Sequence, residues 1–440
     1  MLSDHVAEPH ARDLLEFIQA APTPYHAVSE VAGRLSRAGF RRLSERESWQ
    51  LAPGDAGFVV RGGGSIVAFR LGERSPADAG FAIIGAHTDS PNLRLKPNAE
   101  LTAHGYEQLA VEVYGGVLLS TWLDRDLGLA GRVVLEDDST RLLRLPGTFC
   151  RVPSLAIHLN RDVNSGGLLL NTQTQLLPVA ALEVEDAELE LRARIAAELG
   201  EGLRESQIKG ADLCLFDTQP PALGGARGEL IFSARLDNLS SCHAAVTALL
   251  EAGGGAPATR VVVLYDHEEV GSESAAGAGS QLLESVLCRT LEAYGQGRSD
   301  YARAIAGSLL VSTDMAHAVH PNYPDKHDKL HRPVLGKGPV LKVNASQRYA
   351  TDGVTAARFR SACARVGFEP QHFVSRNDIG CGSTIGPISA AELGLRTVDV
   401  GGPMLSMHSC RELAASADVP LMISVLTELF RSFTPLDPAG

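Results

Sequence analysis

Residues 260–280 read RVVVLYDHEEVGSESAAGAGS. Positions 261–265 form a short apolar, β-branched run, the pattern of a strand buried on both faces of a parallel sheet. Asp266, His267, Glu268 and Glu269 follow at once, and Gly271, Gly277 and Gly279 then loosen the backbone. In open α/β sheets chemistry collects just past the carboxyl ends of strands. Two adjacent carboxylates at such a place can divide labour, one binding a metal and the other staying free as a base. A solvated acidic turn would look the same, so the other ligands must come from elsewhere in the chain.

The bulk numbers narrow the search. With 440 residues the chain is too long for one ordinary core, and two domains are expected. It is 44% hydrophobic and 21% charged, the composition of a globular protein. A net charge of −12 argues against nucleic-acid partners, which need a basic face. No apolar run approaches the roughly 20 residues that span a bilayer, and the first residues lack the pattern of a signal peptide, so no membrane association is expected. Seven cysteines without a C-x-x-C pair read as reduced, buried thiols of a cytoplasmic protein.

In chain order, residues 11–20 and 25–35 read as helices, with Thr23 as cap and Pro24 in the first turn of the second. Strands are expected at 58–60 and 65–71, joined across three glycines, and at 81–84. The last runs into His87 and Asp89, which alternation places on one side of an extended chain. From 94 to 230 short Val/Leu-rich strands dominate, with candidates at 110–113, 131–135 and 168–170, and 182–199 fits strand or helix equally. This block, 94–230, reads as an inserted β-rich domain, leaving 1–93 and 231–440 as one discontinuous domain. The sheet is expected to resume at 230–233, with Asp237 free to cap the helix that follows. Further strands are expected at 308–312, 340–343, 371–374 and 397–400, and helices at 280–294, 356–366 and 420–433. The fold class is therefore α/β, a mixed central sheet flanked by helices.

Polar residues at separate strand-to-loop junctions now form a set: His87, Asp237, Glu268 with Glu269, Asp314 and His408. A two-metal site needs a carboxylate bridge and a histidine plus carboxylate on each ion, the ions ~3.5–4 Å apart. Ligation by His, Asp and Glu without cysteine suits hydrolytic Zn²⁺, with Mn²⁺ or Co²⁺ as alternatives.

The motifs GAHTDSP at 85–91, ARLDN at 234–238, DHEEVGS at 266–272, STDMAHAVHPNY at 312–323 and MHS at 407–409 resemble those of the aspartyl aminopeptidases. These are binuclear exopeptidases of the co-catalytic zinc-peptidase group, and the likeness runs nearly end to end. It implies one metal on His87, Asp237 and Asp314 and a second on Asp237, Glu269 and His408, so two divalent ions per subunit. Glu268 would be the general base, Asp89 would orient His87, and a non-proline cis bond would follow Asp237. It also implies peptide substrates with a free, acidic N-terminal residue. A chain of charge −12 must place a local cation to accept such a side chain. Lys342, which matches a family motif, and then Arg348 are the candidates, although a lysine at an exposed strand edge would need no such role. His158 reads locally as a packing histidine. The resemblance instead sends it to a neighbouring subunit's active site, within dimers built into a twelve-subunit shell. Two rival readings keep the site: a related two-metal deacylase or carboxypeptidase, and a non-catalytic scaffold on the same fold.

Overall fold

The protein was analysed as a computed structural model that describes residues 4–185, 189–200 and 202–437. The chain divides into two compact units, one of residues 1–89, 222–407 and 412–440, the other of 90–221 and 408–411. Sequence composition suggested 93/94 and 230/231 as the boundaries; the contacts divide the chain at 89/90 and 221/222, and His408 falls in the second unit.

Among its described residues the first unit carries a nine-stranded mixed sheet. In chain order its strands are β1 Arg41–Arg42, β2 Ala56–Arg61, β3 Ser65–Arg70, β4 Phe81–His87, β5 Thr259–Tyr265, β6 Leu309–Thr313, β7 Val340–Lys342, β8 Gln371–Phe373 and β9 Arg396–Gly401. Their spatial order is β1-β2-β3-β5-β4-β6-β9-β7-β8. The four central strands, β5, β4, β6 and β9, run parallel. Their carboxyl ends therefore lie along one edge, which is where the sequence puts its acids.

The central strands are uninterrupted apolar runs because both faces are covered. Val262, Leu264 and Ile84 point to a core shared with the helices Leu236–Glu251 and Asp418–Ser432. Val261, Val263, Tyr265 and Ile83 point the other way, to a core shared with the helix Leu282–Leu291. Each fully buried Val, Leu or Ile contributes ~1.5–3 kcal/mol relative to exposure, so these two layers hold the strand ends firmly. Among the described residues a separate five-stranded sheet holds Leu230–Ser233, which the sequence reading had assigned to the main sheet. Those four residues pair with Glu412–Ala415 instead, a partner that no local pattern specifies.

Among its described residues the second unit carries a six-stranded antiparallel sheet, in which Ile208–Asp217 lies between Leu127–Leu135 and Asn92–Ala103. The expected strand at 168–170 does not form. Gly167 (φ 84°) turns the chain there, no strand pairs with it among the described residues, and Leu169 is 91% exposed. Of the ambiguous stretch 182–199, residues 186–188 lie outside the described residues; Leu182 ends the strand Val179–Leu182, and Leu191–Leu199 is a helix.

Candidate metal centre

His87 is the last residue of β4, and it is buried. Its Nδ1 lies 3.0 Å from the main-chain carbonyl of Asp89, which fixes the N–H on that nitrogen. The other nitrogen, Nε2, faces carboxylates: Asp237 Oδ1 at 3.4 Å, Asp314 Oδ1 at 3.4 Å and Glu268 Oε2 at 3.9 Å. His87, Glu268 and Asp314 form one group with ligand atoms within 4.8 Å of one another; His87, Asp237 and Glu269 form a second.

Each carboxylate is delivered by a specific local structure. Glu268 and Glu269 start a short 3₁₀ turn, Glu268–Val270, directly after β5. Asp89 anchors that turn, because its two carboxylate oxygens accept the amides of Glu268 and Glu269, each at 3.1 Å. The sequence suggested that Asp89 orients His87. Its carbonyl makes that contact and Oδ1 lies 3.4 Å from Nδ1, while the anchoring of both glutamates left no signal in the sequence. Asp237 was expected to be able to cap its helix. The backbone leaves helical geometry at Asp237 and Asn238, a kink just inside the helix Leu236–Glu251, and the Asp237 amide donates to Glu412 Oε2 at 3.1 Å. Its side chain is thus left to face His87, and the Asp237–Asn238 peptide is cis. Glu412, 175 residues away in sequence, is the site residue that sequence reasoning missed. Asp314 follows β6, and the β9 strand passes so close to it that a Cβ on Gly401 would lie 1.8 Å from the Asp314 carbonyl oxygen. Only glycine permits that approach.

Lys342 is not at an exposed edge. It is 1% exposed, and its Nζ lies 3.3 Å from Asp314 Oδ2 and 3.0 Å from the Met315 carbonyl. Arg348 is exposed on a turn whose amide donates to Asn344. Cys242, whose Sγ lies 2.9 Å from the His87 carbonyl, has its thiol pushed by burial up to about 12, which makes it an inert packing group. His158 and His408 belong to the second unit. His158 is exposed on the short turn Ile157–Leu159, and His408 holds its Nδ1 3.0 Å from the Gly116 carbonyl.

So many acids cannot be buried together at no cost. Burial, with Asp314, Asp89 and Asp237 adding to it against the opposing His87, raises Glu268 to about 8. Burial and then Asp237 raise Glu269 well above the carboxylate range. Burial lowers His87, but Glu268 and the other surrounding carboxylates outweigh it and raise the imidazole. A cation relieves all three strains. The donors suit zinc, being an imidazole with a lone pair turned inward by a main-chain acceptor, plus oxygen ligands and no thiolate.

Comparison with known proteins agrees. The family model described as aminopeptidase I zinc metalloprotease (M18) matches residues 17–433. The chain belongs to the M18 family, the aspartyl aminopeptidases. It is a hydrolase, a metallo-aminopeptidase. It is similar to a probable M18 family aminopeptidase 2 of Pseudomonas entomophila, 48% identical over 95% of this chain and 97% of the relative. A protein of the same description from Streptomyces coelicolor is 47% identical over 95% and 96%. Among solved structures, the Ape4 and Nbr1 complex contains a chain with a TM-score of 0.94 and 41% identity, covering 97% of this chain and 86% of that one. The mApe1 dodecamer of S. cerevisiae matches with a TM-score of 0.85 and 32% identity over 97% of each chain.

Proposed function

We propose that this aminopeptidase removes an acidic N-terminal residue, Asp or Glu, from peptides at a site built for two divalent cations, zinc first among them. The observation that carries the reading is His87, whose Nδ1 rests on a carbonyl while its Nε2 faces three carboxylates from three different loops. Asp237, Glu268, Glu269 and Asp314, gathered around His87, bring enough carboxylate to support a pair of ions. By the sequence resemblance, His87, Asp237 and Asp314 hold one ion, and Asp237, Glu269 and His408 the other, with His408 carried by that resemblance alone.

Bound zinc supplies Lewis acidity toward the scissile carbonyl and toward water. The chain's own residues do the rest. Glu268, with 15% of its side chain exposed, takes a proton from the attacking water as the new C–O bond forms. It returns that proton to the departing amine nitrogen as the C–N bond breaks. Asp89 holds the Glu268 backbone so that the carboxylate need not search for its position. An acidic substrate side chain needs a cation. Arg348 offers an exposed one, whereas the Lys342 ammonium, also a candidate, is engaged by Asp314.

The same proposal makes the enzyme a homo-oligomer, built from dimers into a dodecamer, with His158 serving a neighbouring copy. Leu155, Ile157 and Leu159 are 62%, 48% and 74% exposed around that histidine, a surface that suits an interface. We place the protein in the cytoplasm, with its seven cysteines free thiols.

The test is a panel of peptides with N-terminal Asp, Glu, Leu or Ala, and an N-acetylated Asp peptide, run with protein of measured zinc content. Asp and Glu peptides are expected to exceed the Leu peptide by ~10-fold or more in kcat/KM, with the acetylated peptide uncleaved. Equal rates across the panel refute the acidic preference, and cleavage of the acetylated peptide refutes the need for a free amine.

A further inference from the structure

One buried carboxylate in the first unit is used by neither the cluster nor the mechanism above. Asp399 lies on β9 and is 0% exposed. The antiparallel register of β7 with β9 pairs Val340 with Gly401 and Leu341 with Val400. Continued by one residue, that register would bring Lys342, the last residue of β7, alongside Asp399, and facing side chains on one side of a sheet have Cβ atoms ~4.5–5.5 Å apart. On the other flank Asp399 pairs with Ser312 of β6, two residues before Asp314. Its carboxylate is closely fitted. Oδ1 accepts from Thr384 Oγ1 at 2.6 Å, and Oδ2 accepts from the Ala350 amide at 2.6 Å. A Cβ on Gly386 would lie 2.4 Å from Oδ1, so the chain leaves space there for the acid alone.

Lys342 in turn divides the Asp314 carboxylate. Oδ2 faces the ammonium at 3.3 Å, while Oδ1 faces His87 at 3.4 Å. The charges therefore alternate from the cluster outward: Asp314, Lys342, Asp399. An ammonium balanced only by the neutral Met315 carbonyl would draw electron density from Asp314 and weaken it as a ligand. A second carboxylate behind the ammonium moderates that pull. Burial raises Asp399 above the usual carboxylate range, and the nearby Lys342 is the largest of the opposing influences.

We propose that Asp399 is a positioning residue of the metal centre, the buried counter-charge that holds Lys342 against Asp314 Oδ2 and so leaves Oδ1 as the oxygen offered to the ion. This rests on the reading of Asp314 as a metal ligand. It makes Lys342 a part of the centre's electrostatics rather than a docking point for substrate alone.

The test is a double-mutant cycle read by zinc affinity, with a chromophoric chelator competing against the full-length assembled protein. Asp399→Asn is expected to weaken zinc binding about 10-fold, as is usual for groups that orient a ligand. Lys342→Met removes the ammonium that Asp399 holds, so adding Asp399→Asn to it is expected to change the affinity of Lys342→Met by no more than about 3-fold. Losses that multiply in the double variant, or an unchanged affinity in Asp399→Asn, overturn the proposal. If Asp399→Asn alone fails to fold because it strands a buried ammonium, the neutral pair must fold and bind zinc. Failure of the pair as well means a purely structural role and also overturns it. Asp314→Asn is the control: unless it weakens zinc by 100-fold or more, the metal-ligand reading fails, independently of Asp399.

Discussion

The metal cluster of the first unit and the 154–170 segment of the second break the ordinary rule of burial in opposite directions. One buries charge: His87, Asp89, Asp237 and Asp314 are all at most 8% exposed. The other exposes apolar surface: Leu155, Leu159 and Leu169 are 62%, 74% and 91% exposed. Buried charges need partners or a metal, and exposed leucines in a run need a covering surface. Each region is thus incomplete by itself, and what it lacks is opposite in kind: cations for the first, apolar contact for the second. The contrast suggests that each departure from the rule is kept for function.

The sharpest way to break this comparison is to leave the cluster's charge count nearly intact and remove only its base. Glu268→Gln is expected to lower kcat by about 10²–10⁴-fold while bound zinc, measured by elemental analysis, stays near the parent level. Near-normal turnover would remove Glu268 from the mechanism. On the apolar side, Leu159→Ser together with Leu169→Ser is expected to shift the assembly to smaller species in sedimentation, with activity falling about 10-fold or more. An unchanged sedimentation profile would mean that these leucines cover no interface.

Smaller effects refine the buried side. Asp89→Asn keeps the size of the side chain but sets an amide N–H₂ against one of the two amides that the carboxylate now holds. A lost hydrogen bond to a charged acceptor is worth about 1.5–3 kcal/mol, so kcat is expected to fall about 10-fold or somewhat more, with zinc retained. A fall in zinc content larger than the fall in kcat would assign Asp89 to His87 instead. Asp418 tests what burial alone costs, since it is a buried acid away from the cluster. Burial raises it to about 7, against the opposing amides of Gly336 and Gly338, which it accepts at 2.7 Å each. With its folded pKa above the unfolded value, the native state holds the extra proton, so stability falls as pH rises from about 4 through about 7. The loss is on the order of a few kcal/mol. Asp418→Asn is expected to flatten the dependence of Tm on pH across that window, and an unaltered slope would show that Asp418 is ionised throughout.

The strand-end acids were readable because strands covered on both faces leave continuous apolar runs. A polar cluster right after such a run, as in Asp266 to Glu269 after β5, marks both the strand's end and the sheet's reactive edge. The burial of Lys342 left no trace in the sequence, because three residues of β7 carry no periodicity from which burial could be inferred. The strand expected at 168–170 failed for the converse reason: three leucines in a row look buried unless one knows that nothing among the described residues pairs with them.

By itself the sequence determined the α/β class, the residue types of the cluster and their places at the ends of strands, since hydrophobic periodicity and strand-end polarity are local properties. Only the tertiary structure decided which atoms meet. Asp89 reaches across 179 and 180 positions to the amides of Glu268 and Glu269, Glu412 reaches 175 positions to Asp237, and Lys342 reaches 28 to Asp314. Those contacts depend on strand order and register, which are fixed by the packing of the whole sheet between its two apolar layers and are encoded in no single stretch of chain.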